Sequence, residues 1–156
     1  MLEADDEIPA HRRRTMSRIR SRNTKPEQLV RKGLHARGLR FRLHRRDLPG
    51  TPDLVLPRYR VALFVHGCFW HGHGAEDSEA CQLFRWPKTR SEFWRQKIVG
   101  NRARDARVQA KLQASGWRVA VIWECQLRCN PDPALTLDKI CSTIKKQSTN
   151  NYIGEF

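Results

Sequence analysis

The amino-acid sequence predicts an α/β or α+β fold in which one central β-sheet is flanked by helices. The chain has 156 residues, of which 39% are hydrophobic, which suits one ordinary core. Short apolar runs alternate with longer amphipathic stretches in the order helix, strands, long helix, strand, helix. The sequence contains no internal repeats. We therefore expect one domain over residues 24–147, with a basic arm at 1–23 and a polar tail at 148–156.

The N-terminal part of the chain contains a basic stretch and then a helix signal. The stretch is expected to form a short helix or arm, with a solvated terminus as the alternative. Thr24-Lys25-Pro26-Glu27 has the form of a capping box with Pro in the first turn. It predicts a helix from about Lys25 to Arg37, which Gly38 ends. The arginines of the arm are Arg12, Arg13, Arg14, Arg18, Arg20 and Arg22.

Three strands are predicted in the next part of the chain. Apolar residues at 39, 41 and 43 alternate with Arg40 and Arg42, which indicates a strand with one basic side. Asp53 begins a second apolar run over 54–56, Pro57-Arg58 interrupts it, and a third run over 61–65 follows at hairpin distance. The second and third runs are expected to form two adjacent central strands.

A long helix and a further strand are predicted in the second half of the chain. Thr89-Arg90-Ser91-Glu92 has the form of a second capping box, and the helix is expected to end near Ser115, before Gly116. A buried strand over 117–123 and a last helix over about 135–146 follow, and the segment after Gln147 gives no clear signal. One face of the long helix carries two polar residues among apolar ones. This face consists of Trp94, Ile98, Asn101, Asp105, Val108 and Leu112.

Charge and cysteine content limit the classes of function. Lys and Arg number 30 against 16 Asp and Glu, giving a net charge of +14, so nucleic acid is the leading partner and the basic arm is expected to contact phosphates. No apolar run approaches the roughly 20 residues that span a bilayer, and no signal peptide is recognised, so we expect a cytoplasmic protein. Five cysteines argue for metal ligands or buried thiols rather than disulfides. A monomer is the default expectation.

The segment with the most chemically active side chains is Val65-His66-Gly67-Cys68-Phe69-Trp70-His71-Gly72-His73. It directly follows a predicted buried strand, where sheet folds commonly place their sites. Cys68 and His73 are close enough to share a tetrahedral zinc ion, and Cys81 and Cys125 are available to complete the shell. Four protein ligands would leave no open position, which indicates a structural zinc. Buried free thiols are an equal alternative, and Cys129 is a rival to Cys125.

A carboxylate and two histidines suggest hydrolytic chemistry. Asp53 stands at the start of a strand, where aspartate is a poor strand former, although turn chemistry alone explains such a residue. Together with His66 and His71 it supplies a ligand for a hard metal ion and candidate bases, which phosphodiester hydrolysis requires. Each histidine has core packing or zinc binding as its alternative role. Phe69 and Trp70, with Trp94 on the long helix, form an aromatic set suited either to core packing or to wedging between base pairs.

The sequence resembles the very-short-patch repair (Vsr) endonuclease family from about Thr15 to Leu127. The resemblance rests on Leu48–Asp53, Phe64–His73, Pro87–Arg90 with Phe93-Trp94, Lys97-Ile98, Asn101 and Arg104-Asp105, and Gly116-Trp117 with Ile122–Cys125. It implies a restriction-endonuclease-like mixed sheet flanked by helices, a structural zinc, and Mg²⁺-dependent nicking of duplex DNA. The nick would lie 5′ of the thymine in T·G mismatches, which arise when 5-methylcytosine deaminates. A DNA cytosine methyltransferase is the implied functional companion, and the bacterial cytosol or nucleoid the implied location.

The resemblance also implies roles for particular residues. Asp53 and the backbone carbonyl of Val65, where a threonine can occur, would hold Mg²⁺. His71 would be the general base, His66 and Glu27 would support the water and phosphate, and Asp105 would belong to the outer shell. The zinc ligands would be Cys68, His73, Cys81 and Cys125, and the DNA-intercalating wedge Phe69, Trp70 and Trp94. Residues 74–80 are an acidic insertion relative to the family pattern.

Two other functions fit parts of this sequence. A non-catalytic, zinc-stabilised DNA-binding protein would use the charge and the zinc but would have no need of Asp53 and His71. A restriction-type endonuclease acting on matched DNA would differ from a mismatch endonuclease in its choice of substrate.

Overall fold

A five-stranded mixed β-sheet with strand order β1-β2-β3-β4-β5 forms the centre of the molecule. The structure is a computed structural model that describes residues 14, 21–75, 81–146 and 152–156. Strands β1, β2 and β3 pair antiparallel, whereas β4 pairs parallel with both β3 and β5. The elements are α1 Lys25–Ala36, β1 Arg42–Leu43, β2 Leu54–Leu56, a 3₁₀ turn Pro57–Tyr59, β3 Val61–His66, α2 Ser91–Ala114, β4 Arg118–Trp123, α3 Glu124–Arg128, α4 Pro133–Lys145 and β5 Tyr152–Glu155.

Both faces of the sheet are covered by hydrophobic clusters. Val61 and Leu63 of β3 join one cluster, which also contains residues of α1 and α4. Ala62 and Phe64 join the other, which contains residues of α2. Successive side chains of a strand point to opposite faces, so a strand covered on both sides needs the continuous apolar run seen here. The expected α/β fold class, a mixed sheet flanked by helices, is confirmed.

Helix α1 begins and ends close to its predicted bounds. The Thr24 hydroxyl accepts a hydrogen bond from the Glu27 amide at 3.4 Å, as a capping box requires. The Glu27 carboxylate, however, accepts from the Asn23 amide at 3.0 Å and so caps one residue earlier than expected. The helix runs from Lys25 to Ala36, and Arg37 is its C-cap.

Strand β1 is shorter than the predicted alternation over 39–43. The Leu39 amide donates to the Leu34 carbonyl at 3.0 Å and closes the end of α1, so Leu39 is buried as part of the helix end. His44, with a φ of +45°, turns the chain away directly after Leu43. Both strand residues, Arg42 and Leu43, are exposed. The predicted strand with one basic side is present, but it covers only two of the five residues expected.

The second capping box was predicted wrongly, although the helix that it predicted exists. The N-cap of α2 is Arg90, which has a φ of +51° and gives no side-chain capping bond within the described part of the chain. The predicted end is confirmed, because α2 reaches Ala114 with Ser115 as C-cap and Gly116 at a φ of +80°. Glycine adopts this left-handed conformation without the steric cost that a side chain brings.

Two elements at the C-terminal end have no counterpart in the prediction. Helix α3 follows β4 directly, where the strand was expected simply to end. Strand β5 lies within the segment expected to be a polar tail and forms an edge of the sheet. The amide of Phe156 donates to the Val121 carbonyl at 2.9 Å, and the Trp123 amide donates to the Phe156 carbonyl at 2.7 Å.

Several predictions concern residues outside the described ones. These are most of the basic arm, including Arg12, Arg13, Arg18 and Arg20, residues 76–80 of the insertion, and residues 147–151 of the tail. Among the described helices, none has the length and apolar character needed to cross a membrane.

Candidate active site and metal centre

A cleft of about 870 Å³ opens where β3 ends, between the N-terminal end of α1 and one face of α2. Its lining includes Val65, whose backbone carbonyl was expected to bind a metal ion, and Trp70 of the aromatic set. The structure therefore brings together all five residues for which a catalytic role was expected, although they come from four parts of the chain. These residues are Glu27, Asp53, His66, His71 and Asp105.

Asp53 precedes β2 and lies against the neighbouring strand. Its Oδ2 atom accepts a hydrogen bond from the Val65 amide at 2.7 Å, which holds the backbone of Val65 next to the carboxylate. Burial raises the pKa of Asp53 from 3.8 to about 6, and the Val65 N–H opposes this shift. A half-buried carboxylate with one fixed donor gains from a cation that offsets its lost hydration. Asp53 is thus suited to bind a divalent metal ion.

His71 is oriented by a carboxylate on the long helix. Its Nδ1 atom lies 2.5 Å from Oδ2 of Asp105, one of the two polar residues on the otherwise apolar face of α2. Burial, the largest single effect, would raise the pKa of Asp105, but the hydrogen bond from His71 and the charges of the neighbouring basic groups together lower this pKa below its usual value. The ionised carboxylate accepts a hydrogen bond from Nδ1–H of His71. The proton therefore stays on Nδ1, and Nε2 is the basic atom of the ring. This is the arrangement of a general base with an orienting partner.

His66, the last residue of β3, is 6% exposed and packs flat against His71. The two rings are stacked with centroids 3.7 Å apart and an angle of 3° between their planes. Burial and the nearby His71 lower the pKa of His66 to about 3, so it is neutral near pH 7. A neutral ring fixes the plane of His71 without adding a charge that would oppose proton uptake by it.

Glu27 enters the cleft from α1 and is held by residues that the sequence did not single out. It is 2% exposed, and its Oε2 atom accepts from Nη2 of Arg31 at 2.9 Å. His44 places its Nε2 atom 3.7 Å from the same oxygen and lines the cleft. Arg31 had a recognisable signal, because residues four apart on a helix face one another. His44 had none, since its contact with α1 depends on the tertiary fold.

The loop after β3 is fixed by contacts with α2. The Asn101 side chain donates to the backbone carbonyl of Trp70 at 2.8 Å, which explains this second polar residue on the apolar face. Gly72 has a φ of +65°, and a Cβ atom there would lie 2.6 Å from Cγ2 of Ile98. The loop can approach α2 this closely because residue 72 has no side chain.

The four expected zinc ligands converge beside this loop. The ligand atoms of Cys68, His73, Cys81 and Cys125 all lie within 4.8 Å of one another, and Cys125 Sγ is 3.4 Å from His73 Nδ1. Tetrahedral zinc would separate a sulfur and a nitrogen ligand by about 3.5 Å. The donor set therefore fits zinc, and the rival thiol, Cys129, lies outside it.

The described ranges include all five cysteines of the sequence, and none of these cysteines forms a disulfide. Burial raises the pKa values of the Cys68 and Cys125 thiols. A bound zinc ion would displace their protons. Because Cys68 follows β3 and Cys125 follows β4, the cluster joins the ends of two neighbouring strands. His73 also stacks on Trp123, with centroids 4.1 Å apart.

The expected aromatic wedge forms one contiguous group. Phe69 contacts Trp70 and Trp94 edge to face, with centroid distances of 5.3 and 5.2 Å. Trp70 and Trp94 are 5.9 Å apart, and all three rings are half-buried. Beside them, the guanidinium of Arg90 lies 4.4 Å from the ring of Phe93, which is exposed. Aromatic and basic groups therefore share the surface beside the cleft.

The chemistry of the cleft points to a class of enzyme. A carboxylate suited to a divalent ion and an imidazole oriented as a base can together activate water for hydrolysis. The net charge of +14 attracts polyanions. The combination is that of a nuclease.

Comparison with known proteins identifies the family within this class. Residues 4–77 match the family model described as DNA mismatch endonuclease Vsr. The chain is 57% identical over 119 residues to Type II nicking enzyme V.XorIIP of Xanthomonas oryzae pv. oryzae, covering 76% of this chain and 83% of that protein. It is 45% identical over 125 residues to DNA mismatch endonuclease Vsr of Escherichia coli (strain K12), covering 80% and 76%. The chain belongs to the Vsr family and is a DNA endonuclease.

Proposed function

We propose that this endonuclease uses Mg²⁺ to nick duplex DNA on the 5′ side of the thymine in T·G mismatches that arise from deamination of 5-methylcytosine. The observation that carries the proposal is that Asp53 and the Asp105-oriented His71 line the same cleft. The name of the Escherichia coli relative, a DNA mismatch endonuclease, supports the choice of substrate. A DNA cytosine methyltransferase is the functional companion that this substrate implies, and we propose that the enzyme acts as a monomer.

The side chains of the cleft have separate tasks in this reaction. Asp53 and the Val65 carbonyl would hold Mg²⁺, which when bound stabilises negative charge on the phosphoryl oxygens. Nε2 of His71 takes a proton from the attacking water, while Asp105 keeps the imidazole in the required tautomer. His66 supports the plane of His71, and Glu27 orients water and phosphate at the α1 side of the cleft.

Zinc has a structural task in the proposal. Four protein ligands leave no position for water, so the ion would stabilise the loop rather than take part in hydrolysis. That loop carries both His71 and the aromatic pair Phe69-Trp70, and the cluster anchors it to the end of β4. The mixed sheet with helices on both faces supports a restriction-endonuclease-like fold.

The aromatic group gives a reason for mismatch preference. Phe69, Trp70 and Trp94 would enter the DNA beside the mismatch, and separating stacked base pairs costs a few kcal/mol per step. A T·G pair offers a duplex that is already weakened, so the wedge enters it at lower cost. The arm at 1–23 would add phosphate contacts.

Nicking of matched DNA is the second candidate, since several relatives are named Type II nicking enzymes. Duplexes that differ only in having a T·G or a matched pair separate the two candidates, with each strand labelled in turn. We expect one nick 5′ of the mismatched thymine and none in the other strand. Equal cutting of the matched duplex would favour the second candidate.

The requirement for Mg²⁺ is tested in the same assay. Mg²⁺ is removed by dialysis rather than by a strong chelator, because loss of zinc would unfold the loop. We expect no nicking until Mg²⁺ is restored. His71→Ala is expected to bind the duplex and not cut it, and His35→Ala, which changes an exposed histidine of α1, is the matched control. Nicking without Mg²⁺, or by His71→Ala at the wild-type rate, would contradict the proposal.

A further inference from the structure

Trp123, the last residue of β4, contacts both the histidine pair of the cleft and the zinc cluster. Its ring meets the rings of His66 and His71 edge to face, with centroids 5.2 and 6.4 Å apart. On the side of the zinc cluster it stacks flat on His73, with an angle of 5° between the two planes. Trp123 is 9% exposed and stands opposite His66 in the parallel pairing of β3 with β4. One indole ring therefore connects the expected general base with an expected zinc ligand.

The C-terminal strand fixes the orientation of this indole ring. The Nε1–H group of Trp123 donates a hydrogen bond to Oε2 of Glu155 in β5 at 2.8 Å. The Trp123 amide also donates to the Phe156 carbonyl, as described above. Hydrophobic packing alone would allow an indole several orientations, whereas a hydrogen bond from its one N–H group selects among them. Glu155 and Phe156 thus hold Trp123 by its side chain and by its backbone.

His71 needs support from neighbouring rings because it lies in a loop. Asp105 holds its Nδ1 atom, and His66 stacks on its ring with centroids 3.7 Å apart. The His66 ring has Trp123 as its neighbour at an angle of 71°. A rotation of the indole would therefore move His66 and, with it, the ring on which His71 stacks. Misplacement of a catalytic group by about 1 Å can lower a rate by about 100-fold.

We propose that Glu155 and Trp123 are positioning residues for the general base, so that the C-terminal strand forms part of the support of the active site. The inference rests on the role of His71 in the proposed function. Glu155 orients the indole of Trp123, the indole orients His66, and His66 keeps His71 in the plane that proton transfer requires. A zinc ion bound by His73 would fix the imidazole that packs on the indole.

The single-turnover nicking rate of two Glu155 variants tests the proposal. Glu155→Ala removes the acceptor and should lower this rate by about tenfold, because a small displacement of His71 affects the chemical step. Glu155→Gln keeps an oxygen that accepts from the indole, so its rate should stay within about twofold of the wild type. Glu155 is exposed, so both variants should fold. Affinity for the T·G duplex in Ca²⁺ should be the same in both variants and in the wild type.

Tyr152→Phe is the matched control on the same strand. Burial and the neighbouring Glu155 carboxylate raise the pKa of Tyr152 to about 12. The substitution therefore removes a second partner of Glu155 but leaves the bond to the indole, and the nicking rate should not change. Zinc content, measured by elemental analysis, should be one ion per chain in every variant.

Trp123→Phe shows whether the two residues act through one contact. It retains an aromatic ring without the N–H group and should be slowed about as much as Glu155→Ala. The double variant should be no slower than the slower single variant, because both substitutions remove the same hydrogen bond. The indole N–H resonance that Trp123→Phe lacks should shift in Glu155→Ala and keep its position in Tyr152→Phe. If Trp123→Phe does not fold, as judged by circular dichroism, the two Glu155 variants decide the test.

The possible failures are distinguishable. A wild-type nicking rate in Glu155→Ala, or equal losses in Glu155→Ala and Glu155→Gln, would overturn the inference and leave the proposed function standing. Multiplying losses in the double variant would also overturn it. Loss of zinc in Glu155→Ala would assign the effect to the metal cluster and overturn the positioning role. Nicking by His71→Ala at the wild-type rate would overturn the proposed function and the inference together.

Discussion

Replacing Asp105 by Asn tests whether the carboxylate on α2 orients His71 for proton transfer. The substitution preserves shape but removes the charge that accepts the Nδ1 proton across the 2.5 Å contact. A hydrogen bond to a charged group contributes about 1.5–3 kcal/mol. Because each 1.36 kcal/mol is a factor of ten in rate, its loss should lower the single-turnover nicking rate by about 10- to 150-fold.

The assay for Asp105→Asn separates chemistry from binding. Nicking is followed in single turnover on a labelled T·G duplex, and binding is measured by fluorescence anisotropy with Ca²⁺ in place of Mg²⁺. DNA affinity should change little, because Asp105 contacts His71 rather than the DNA in this account. Asp138→Asn is the matched control, since Asp138 is exposed on α4 and pairs with Arg37. A nicking rate within about threefold of the wild type, a change below the smallest hydrogen-bond effect, would refute the orienting role.

Three further predictions concern Gly72 in the loop, the zinc cluster and the Asp53 carboxylate. Gly72→Ala should lower the free energy of unfolding by about 2–4 kcal/mol, because it combines a left-handed φ with a close contact to α2, as urea denaturation would show. Gly100→Ala is its control: no described atom lies within 4 Å of a Cβ there, and stability should be equal or higher. Cys81→Ser should contain no zinc when measured by elemental analysis and should melt at a lower temperature than the wild type. Cys129→Ser is the control and should retain one zinc ion. Full zinc content in Cys81→Ser would show that Cys81 is not a zinc ligand. Since burial raises the pKa of Asp53 from 3.8 to about 6, the folded state without Mg²⁺ holds a proton that the unfolded chain has released. Stability should therefore decrease as the pH rises from about 4 to 6, by at most about 3 kcal/mol. Asp53→Asn should lack this decrease, which urea denaturation at several pH values would show. If the stability of Asp53→Asn depended on pH in the same way as that of the wild type, the raised pKa of Asp53 would be contradicted.

Local patterns in the sequence predicted most of the regular elements. The bounds of α1 follow from the Thr24 cap and Gly38, and the end of α2 follows from Gly116. The hairpin of β2 and β3 follows from two apolar runs with a short break between them. In each case the signal lies within a few residues of the element that it determines, so tertiary contacts are not needed to recognise it.

Features that depend on distant contacts were missed. Strand β5 gains its place by pairing with β4, and its short sequence carries no strong strand signal of its own. Strand β1 is shorter than the strand predicted over 39–43, because Leu39 forms part of the end of α1 instead. The cap of α2 at Arg90 is a backbone conformation that the residue types do not disclose.

In the candidate site, too, the residues in local motifs were predicted and the contacts between distant residues were not. The residues expected from the motif around His66 and His71 do meet Asp53, Glu27 and Asp105 in one cleft. The contact of Arg31 with His44 spans 13 positions of the chain and joins a helix to a loop. Sequence spacing does not encode such a contact, so this pair emerged from the structure alone.

A comparison of DNA binding with strand cleavage in Asp53→Ala tests whether this carboxylate holds the metal ion on which hydrolysis depends. Loss of metal stabilisation of the phosphoryl charge, about 4 kcal/mol or more, should lower the single-turnover nicking rate by about 1000-fold or more. Affinity for the T·G duplex in Ca²⁺ should stay equal or become tighter, because a negative charge is removed. Nicking by Asp53→Ala at a rate close to that of the wild type would contradict the account.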